Sequence, residues 1–294
     1  MASSKRLLLV LIAWPRLAMA QQTAQGFAVE RFYPSAPGGG WFVMDEMNIG
    51  GGLGGAISLT GGYARNPFAP VVSNEAFVDV AMAVTYNRFR VYLDLPMPVV
   101  VNGSSRAGPS LNIATSPDSV ADSHVGFDMR LLGKPGSSFR LGTGAQLIIP
   151  SGSRADYVTD GRYGGMFRLL PAGDIGRFSY AGQLGLYVRP AEGLLVPGSP
   201  DGNEVLFGLA AGRRFPSRSG WDTVVGPEFF GEASVHSASD GRTGFEGLLS
   251  TRLERTGDRP HLRFKIGIGH GIVEHFGAPE WRVLASLELV GSRL

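Results

Sequence analysis

The sequence predicts an all-β protein: a transmembrane antiparallel up-and-down β-barrel of about 12 strands after an N-terminal signal peptide. Three observations lead there. Glycine supplies 43 of 294 residues, roughly twice the usual share and costly in helix interiors. From Gly55 onward, apolar residues alternate with polar or small ones in blocks bounded by turn residues. The connections between blocks also alternate, long after odd-numbered blocks and tight after even-numbered ones. Long loops on one rim and short turns on the other characterise barrels of the bacterial outer membrane. Outside the N-terminus no apolar run approaches the length of a membrane helix.

In chain order, Lys5 and Arg6 precede the apolar stretch from Leu7 to Trp14, and Ala18-Met19-Ala20 offers a cleavage site before Gln21. Residues 1–20 therefore read as a secretory signal peptide. Its removal takes away Lys5, Arg6 and Arg16, leaving 24 basic against 25 acidic side chains and turning a formal charge of +2 into −1. The basic character of the precursor thus gives no support for nucleic-acid binding. With no cysteine, an exported chain has neither disulfides nor thiolate metal sites.

Residues 21–54 form a Gly/Pro-rich segment. Pro34 to Gly40 lead into Trp41-Phe42-Val43-Met44, followed by a hinge from Gly50 to Gly55. The segment is expected either to plug the lumen or to cap its periplasmic mouth; an extra strand or an unstructured leader is the alternative. Residues 55–294 form the barrel, with strands near 55–63, 76–87, 88–96, 123–132, 138–149, 163–170, 178–189, 204–212, 222–235, 244–254, 262–271 and 281–290. Both chain ends then lie on the periplasmic side. The cleanest alternation places Phe89, Val91, Leu93 and Leu95 on one face and Arg90, Tyr92 and Asp94 on the other. A soluble β-sandwich also alternates, with its charged face in water. Here the charged faces are poor in Lys and carry glycines (Gly142, Gly144, Gly208, Gly212, Gly267, Gly269). Aromatics mark strand ends as interfacial girdles would, at Phe77, Tyr86, Phe89, Phe139, Phe178, Tyr180 and Trp281.

Several stretches resemble the Gly-rich β-barrel module of a group of OmpA-family outer-membrane proteins. They are ERFYPSAPGGGWFVMDEMNIGGGLGG at 30–55, VGFDMRLLGKPGSSFRLGTGAQLIIPSG at 125–152, PAGDIGRFSYAGQLGLYVRP at 171–190, VVGPEFFG at 224–231 and GAPEWRVLASLEL at 277–289. The resemblance implies a barrel in the outer membrane of a Gram-negative bacterium, here without the C-terminal peptidoglycan-binding domain that often follows in that group.

Strand parity puts Arg90, Asp94, Asp128, Arg130, Arg140, Arg168, Arg189, Glu228, Glu232, Glu246, Arg263, Lys265, Arg282 and Glu288 in the lumen. Arg140, Arg168 and Arg189 fall on consecutive strands and Glu228, Glu232 and Glu246 on a later hairpin. Opposed walls of this kind would set up a transverse field that steers polar solutes; the alternative is a paired network that fills the lumen. The inward glycines point to open space or to space taken by a plug.

The five histidines show no His-x-x-x-His or Glu-x-x-His spacing for a metal, and no Gly-x-Ser-x-Gly elbow occurs. His236, Ser237 and Asp240 on an outer loop are a candidate hydrolytic set, and Asp156 with Asp160-Gly161 a candidate calcium or lipopolysaccharide contact. The expectation is a non-enzyme without catalytic residues, metal or cofactor. It would act as a passive porin-like channel or structural barrel; the alternatives are a closed scaffold or adhesion surface, and an outer-membrane hydrolase with a loop-borne site. Expected partners are outer-membrane lipid and lipopolysaccharide, the barrel-assembly machinery and small polar solutes.

Overall fold

A computed structural model describes residues 27–68, 72–103, 120–189, 202–235, 243–255, 261–273 and 277–292. Residues 1–20, expected to be a signal peptide, most of the loops 97–122 and 190–203, and His236, Ser237 and Asp240 lie outside the described residues.

Twelve antiparallel strands close into one barrel in simple chain order. They are β1 (Leu53–Phe68), β2 (Val72–Tyr86), β3 (Phe89–Gly103), β4 (Ser123–Leu132), β5 (Arg140–Ile149) and β6 (Gly164–Ile175). The ring continues with β7 (Phe178–Val188), β8 (Glu204–Phe215), β9 (Trp221–Ser234), β10 (Thr243–Arg255), β11 (His261–Val273) and β12 (Trp281–Ser292). β1 closes on β12 in continuous register from Gly54 opposite Ser292 to Arg65 opposite Trp281. Among the described residues no strand of the barrel has a free edge.

Every strand expected from the alternation is present. The largest boundary difference is β3, which runs on to Gly103 instead of ending near 96; β6 likewise continues through Pro171, Gly173 and Asp174 to Ile175. Those residues read as a turn, yet Pro171 stands opposite Leu141 and Ala172 opposite Arg140 in the ladder. β6 therefore meets β7 through Gly176-Arg177 alone, with Gly176 at φ 62. Asn87 holds the corresponding place between β2 and β3 at φ 53, the left-handed geometry of tight hairpins.

The pleat settles barrel against sandwich. The apolar face is the exposed one: Ile57 is 57% exposed, Val84 59% and Ile266 64%. The charged face is buried, with Glu228 and Arg282 at 0%. A water-soluble sheet has the reverse arrangement, so this exterior belongs in an apolar medium. Exposed aromatics mark both rims: Tyr86, Phe89, Phe139 and Phe178 at the short-turn end, Tyr163 and Trp281 at the other. Phe77 departs from the expected girdle. A register irregularity at Ala76/Phe77 accompanies an inward ring that packs on Phe32 at 5.8 Å.

Candidate functional site

The bore is occupied by the chain's own residues 27–52, which run from one rim to the other. At the long-loop rim Phe27 packs with Phe68, Val72, Val101 and Tyr157. There Val29 donates its amide to the Tyr157 carbonyl at 3.0 Å. At the short-turn rim Arg130 donates to the Ile49 carbonyl at 3.1 Å, and the Gly136 amide to Asn48 Oδ1 at 3.0 Å. The expectation that both ends lie on one side thus holds for the barrel but not for the segment before it. The Leu53 end of β1 and the Ser292 end of β12 share a rim, whereas Phe27 sits at the opposite one.

Midway the segment folds back on itself. Ser35 donates to the Phe42 carbonyl at 2.8 Å and Glu46 to the Gly39 carbonyl at 2.7 Å. The tip projects Phe32, Trp41, Phe42, Val43 and Met44 into an apolar cluster with Ala210, Val224, Phe230, Leu248 and Leu284 of the wall. Glycines make the room: a Cβ on Gly208 would overlap Met44, and one on Gly142 would overlap Met47. The inward glycines are sockets for this segment.

Polar contacts hold the tip in register. Glu228 accepts the Phe42 and Val43 amides on its two oxygens, both at 3.0 Å. Lys265 donates to the Trp41 carbonyl at 3.1 Å and Arg140 to that of Glu46 at 2.8 Å. The Glu46 carboxylate takes Arg252 at 2.8 Å and Ser179 at 2.9 Å. Asp45 pairs with Arg90, which also meets Asp128 at 2.6 Å.

The other charges expected in the lumen are likewise buried or half-buried, and paired. Arg168 donates to the Tyr92 hydroxyl at 2.7 Å. Arg189 meets Asp160 at 2.5 Å and Glu204 at 3.0 Å. Arg31 bridges Glu204 at 3.4 Å and Glu232 at 3.2 Å. Arg282 joins Glu246 at 3.0 Å to Glu30 at 2.9 Å. Glu288 holds Lys265 at 2.6 Å and Arg263 at 2.7 Å, and Asp94 accepts from His124 at 2.9 Å. Arg140, Arg168 and Arg189 do not face Glu228, Glu232 and Glu246 across open water. Unpaired charges at this depth cost several kcal/mol, and local partners remove that cost.

Sequence reasoning missed the charges of the segment itself (Glu30, Arg31, Asp45, Glu46), because 21–54 has no strand period to assign them. It also missed Glu75, buried on the inward face of β2. The period through Asp79 and Phe77 reaches Glu75 once the strand is extended. Asp160, a candidate calcium contact, is occupied by Arg189 and by the Ala28 amide at 3.1 Å. Asp122, between β3 and β4, is pushed above the ordinary carboxylate range because burial outweighs its hydrogen bond from Thr159.

No protein-family model and no curated protein matches the chain. Among solved structures, an outer membrane channel from Pseudomonas putida F1 superposes with a TM-score of 0.58 at 13% identity, covering 83% of this chain and 97% of that one. The fold is that of an outer-membrane β-barrel. The NanC porin matches at a TM-score of 0.49 and 7% identity, over 81% of this chain and all of that one (100%). LpxR from Salmonella typhimurium matches at 0.40 and 13%, over 79% of this chain and 99% of that one.

The expectation of a non-enzyme is corrected here: a barrel fold by itself does not decide between channel and enzyme, and enzymatic status is left open.

Proposed function

We propose that the chain is exported by cleavage of residues 1–20 and resides in the outer membrane of a Gram-negative bacterium. There it serves as a porin-like channel for small polar solutes, held closed at rest by residues 27–52 acting as a plug. Its partners are then outer-membrane lipid, lipopolysaccharide and the barrel-assembly machinery. The likeness of the Gly-rich hairpins to the OmpA-family module agrees with this setting.

One observation carries the proposal. An apolar knuckle, Trp41 to Met44, fills the bore against an apolar patch of the wall, and two backbone hydrogen bonds to Glu228 fix it there. A lumen designed only to be solid would be filled by its own wall side chains, as small barrels are. Here glycine sockets leave that space to a separable segment. The test is planar-bilayer conductance of the full chain and of a variant lacking residues 27–49. Intermittent current from the first and steady current from the second are expected. Silence from both would reject the channel in favour of the closed scaffold.

A further inference from the structure

The short-turn rim carries exposed charge of one sign. Four of its hairpin turns lie among the described residues: 87–88, 133–139, 176–177 and 216–220. Each holds one cation and no acid, namely Arg88, Lys134, Arg177 and Arg218 in turn, and all four are exposed. Turn geometry explains Asn87 and Gly176, both at positive φ, but asks for no cation beside them. Two more exposed arginines, Arg213 and Arg255, stand at the same rim on the outer face of β8 and β10. Among the described residues no acid of this rim is exposed. Asp174 is held by Arg140 at 2.8 Å, Asp222 by Arg214 at 3.4 Å and Glu254 by Arg263 at 3.2 Å. At the opposite rim the exposed Arg65 is answered by Glu280 at 3.3 Å.

Depth identifies the partner. Exposed aromatic rings flank these cations: Tyr86 and Phe89 bracket Arg88, Phe139 follows Lys134, Phe178 follows Arg177 and Phe215 precedes Arg218. Such rings sit where hydrocarbon meets headgroups, so cations a few residues away reach the level of the lipid phosphates. The Arg213 guanidinium lies over the Phe215 ring at 5.3 Å, and Arg255 stands opposite Trp221 in the ladder. The cations are spread round the circumference, from the β2–β3 turn to the β8–β9 turn, not gathered into one patch that a folded partner could cover. A bilayer leaflet surrounds a barrel on every side. Guanidinium groups pair with phosphate through two parallel hydrogen bonds, and anionic lipids attract basic side chains at a membrane surface. We propose that the short-turn rim selects phospholipids of net negative headgroup charge, with its strongest site at Arg213, Arg218 and Arg255 around Phe215 and Trp221. Lipid selection of this kind rests on residence in a membrane as proposed above, and not on conductance.

Trp221 reports on this site, Trp281 marks the opposite rim, and Trp41 is buried in the bore away from lipid. The chain from Gln21 is refolded into phosphatidylcholine vesicles containing brominated phosphatidylcholine or brominated phosphatidylglycerol, and quenching of tryptophan fluorescence gives the relative affinity of the two lipids. In a Trp281→Phe variant, which leaves Trp221 as the lipid-facing reporter, phosphatidylglycerol should be preferred at least about fivefold at low salt, the contribution of one basic side chain at an anionic surface. In a Trp221→Phe variant, Trp281 should show no preference. Replacing Arg213, Arg218 and Arg255 together by Gln should abolish the preference at Trp221, whereas Arg88→Gln, on the opposite side of the ring, should leave it. Heat-modifiable gel migration establishes that each variant is folded, and the comparison of lipids with the arginines intact stands even where a variant is not. Equal quenching of Trp221 by the two lipids would overturn the proposal and leave the cations to a soluble acidic partner. So would an equal preference at Trp281, or a preference that survives loss of the three arginines. Absence of quenching by either lipid would overturn residence in a membrane itself, so the two failures are distinguishable.

Discussion

Replacing Glu228 with alanine is the sharpest test of how the segment is held. In the folded protein the carboxylate takes two consecutive amides, Phe42 and Val43, at 3.0 Å each, in a fully buried position. Glu228→Ala strands both amides beside the apolar cluster. Each orphaned buried donor costs about 1–3 kcal/mol, so the segment should lose about 2–6 kcal/mol of local stability. Relief of the carboxylate's own desolvation draws the value toward the lower end. Glu228→Gln keeps one acceptor oxygen and should lose about half as much. The barrel wall should persist, because Glu228 also belongs to a β9 paired on both sides. The loss should therefore fall on residues 35–46 alone. Native-state hydrogen exchange followed by mass spectrometry measures it. About 2–6 kcal/mol corresponds to exchange faster by roughly 30-fold to 10⁴-fold in peptides covering 35–46, with the heat-modifiable gel band unchanged. If the channel reading is right, open time in bilayers rises in the order wild type, Gln, Ala. Unchanged exchange across 35–46 in the alanine variant would refute the reasoning that these two bonds anchor the knuckle.

Arg282→Ala should be among the most damaging single changes in the wall, because it leaves buried Glu246 and half-buried Glu30 without their shared cation. A loss of about 3–5 kcal/mol is expected as a lower urea midpoint of the folded gel band. Gly226→Ala should impair refolding, since its Cβ would overlap the Ala211 carbonyl of the neighbouring strand, whereas Gly61→Ala meets nothing closer than 3.9 Å. Overpacking of the first kind costs about 1–3 kcal/mol or more, and refolding yield in detergent compares the two. Asp122 sets a pH dependence. Its folded carboxyl titrates above the unfolded value, so the barrel loses stability as pH rises from the ordinary carboxylate range through that raised value. Asp122→Asn should flatten this part of the stability profile, and an unchanged slope would remove Asp122 as its source.

How far the sequence could be read depends on periodicity. Strand alternation has a fixed period of two, so once Phe89 to Leu95 are phased, the inward positions of Arg90 and Asp94 follow without knowledge of anything distant. The same rule placed Glu246, Lys265 and Arg282 on the inner face, although their partners lie on other strands or on the segment. Residues 27–52 have no such period. Their conformation is dictated by the space and hydrogen-bond groups of a wall assembled from residues far along the chain, such as Arg90, Arg140 and Glu228. Pro171 misled for a related reason: a local breaker signal was overruled by its ladder partner Leu141 on β5 and by the pairing of Ala172 to Ile175 with β7.

That dependence also changes how the lumen charges should be interpreted. As opposed walls, Glu228, Glu232 and Glu246 would tune ion selectivity, and reversing them to lysine would shift it smoothly. In the folded chain Glu228 holds the knuckle, Glu232 holds Arg31, and Glu246 shares Arg282 with Glu30. Reversal would set cations against Arg31 and Arg282 and against the amide donors of Phe42 and Val43. Its first effect would be expulsion of the segment rather than a change of selectivity. Side chains that fix a movable filling cannot be assayed as filters until the filling is gone. Selectivity therefore has to be measured on the chain lacking residues 27–49, where the same three glutamates line open water and their charge acts directly on passing ions.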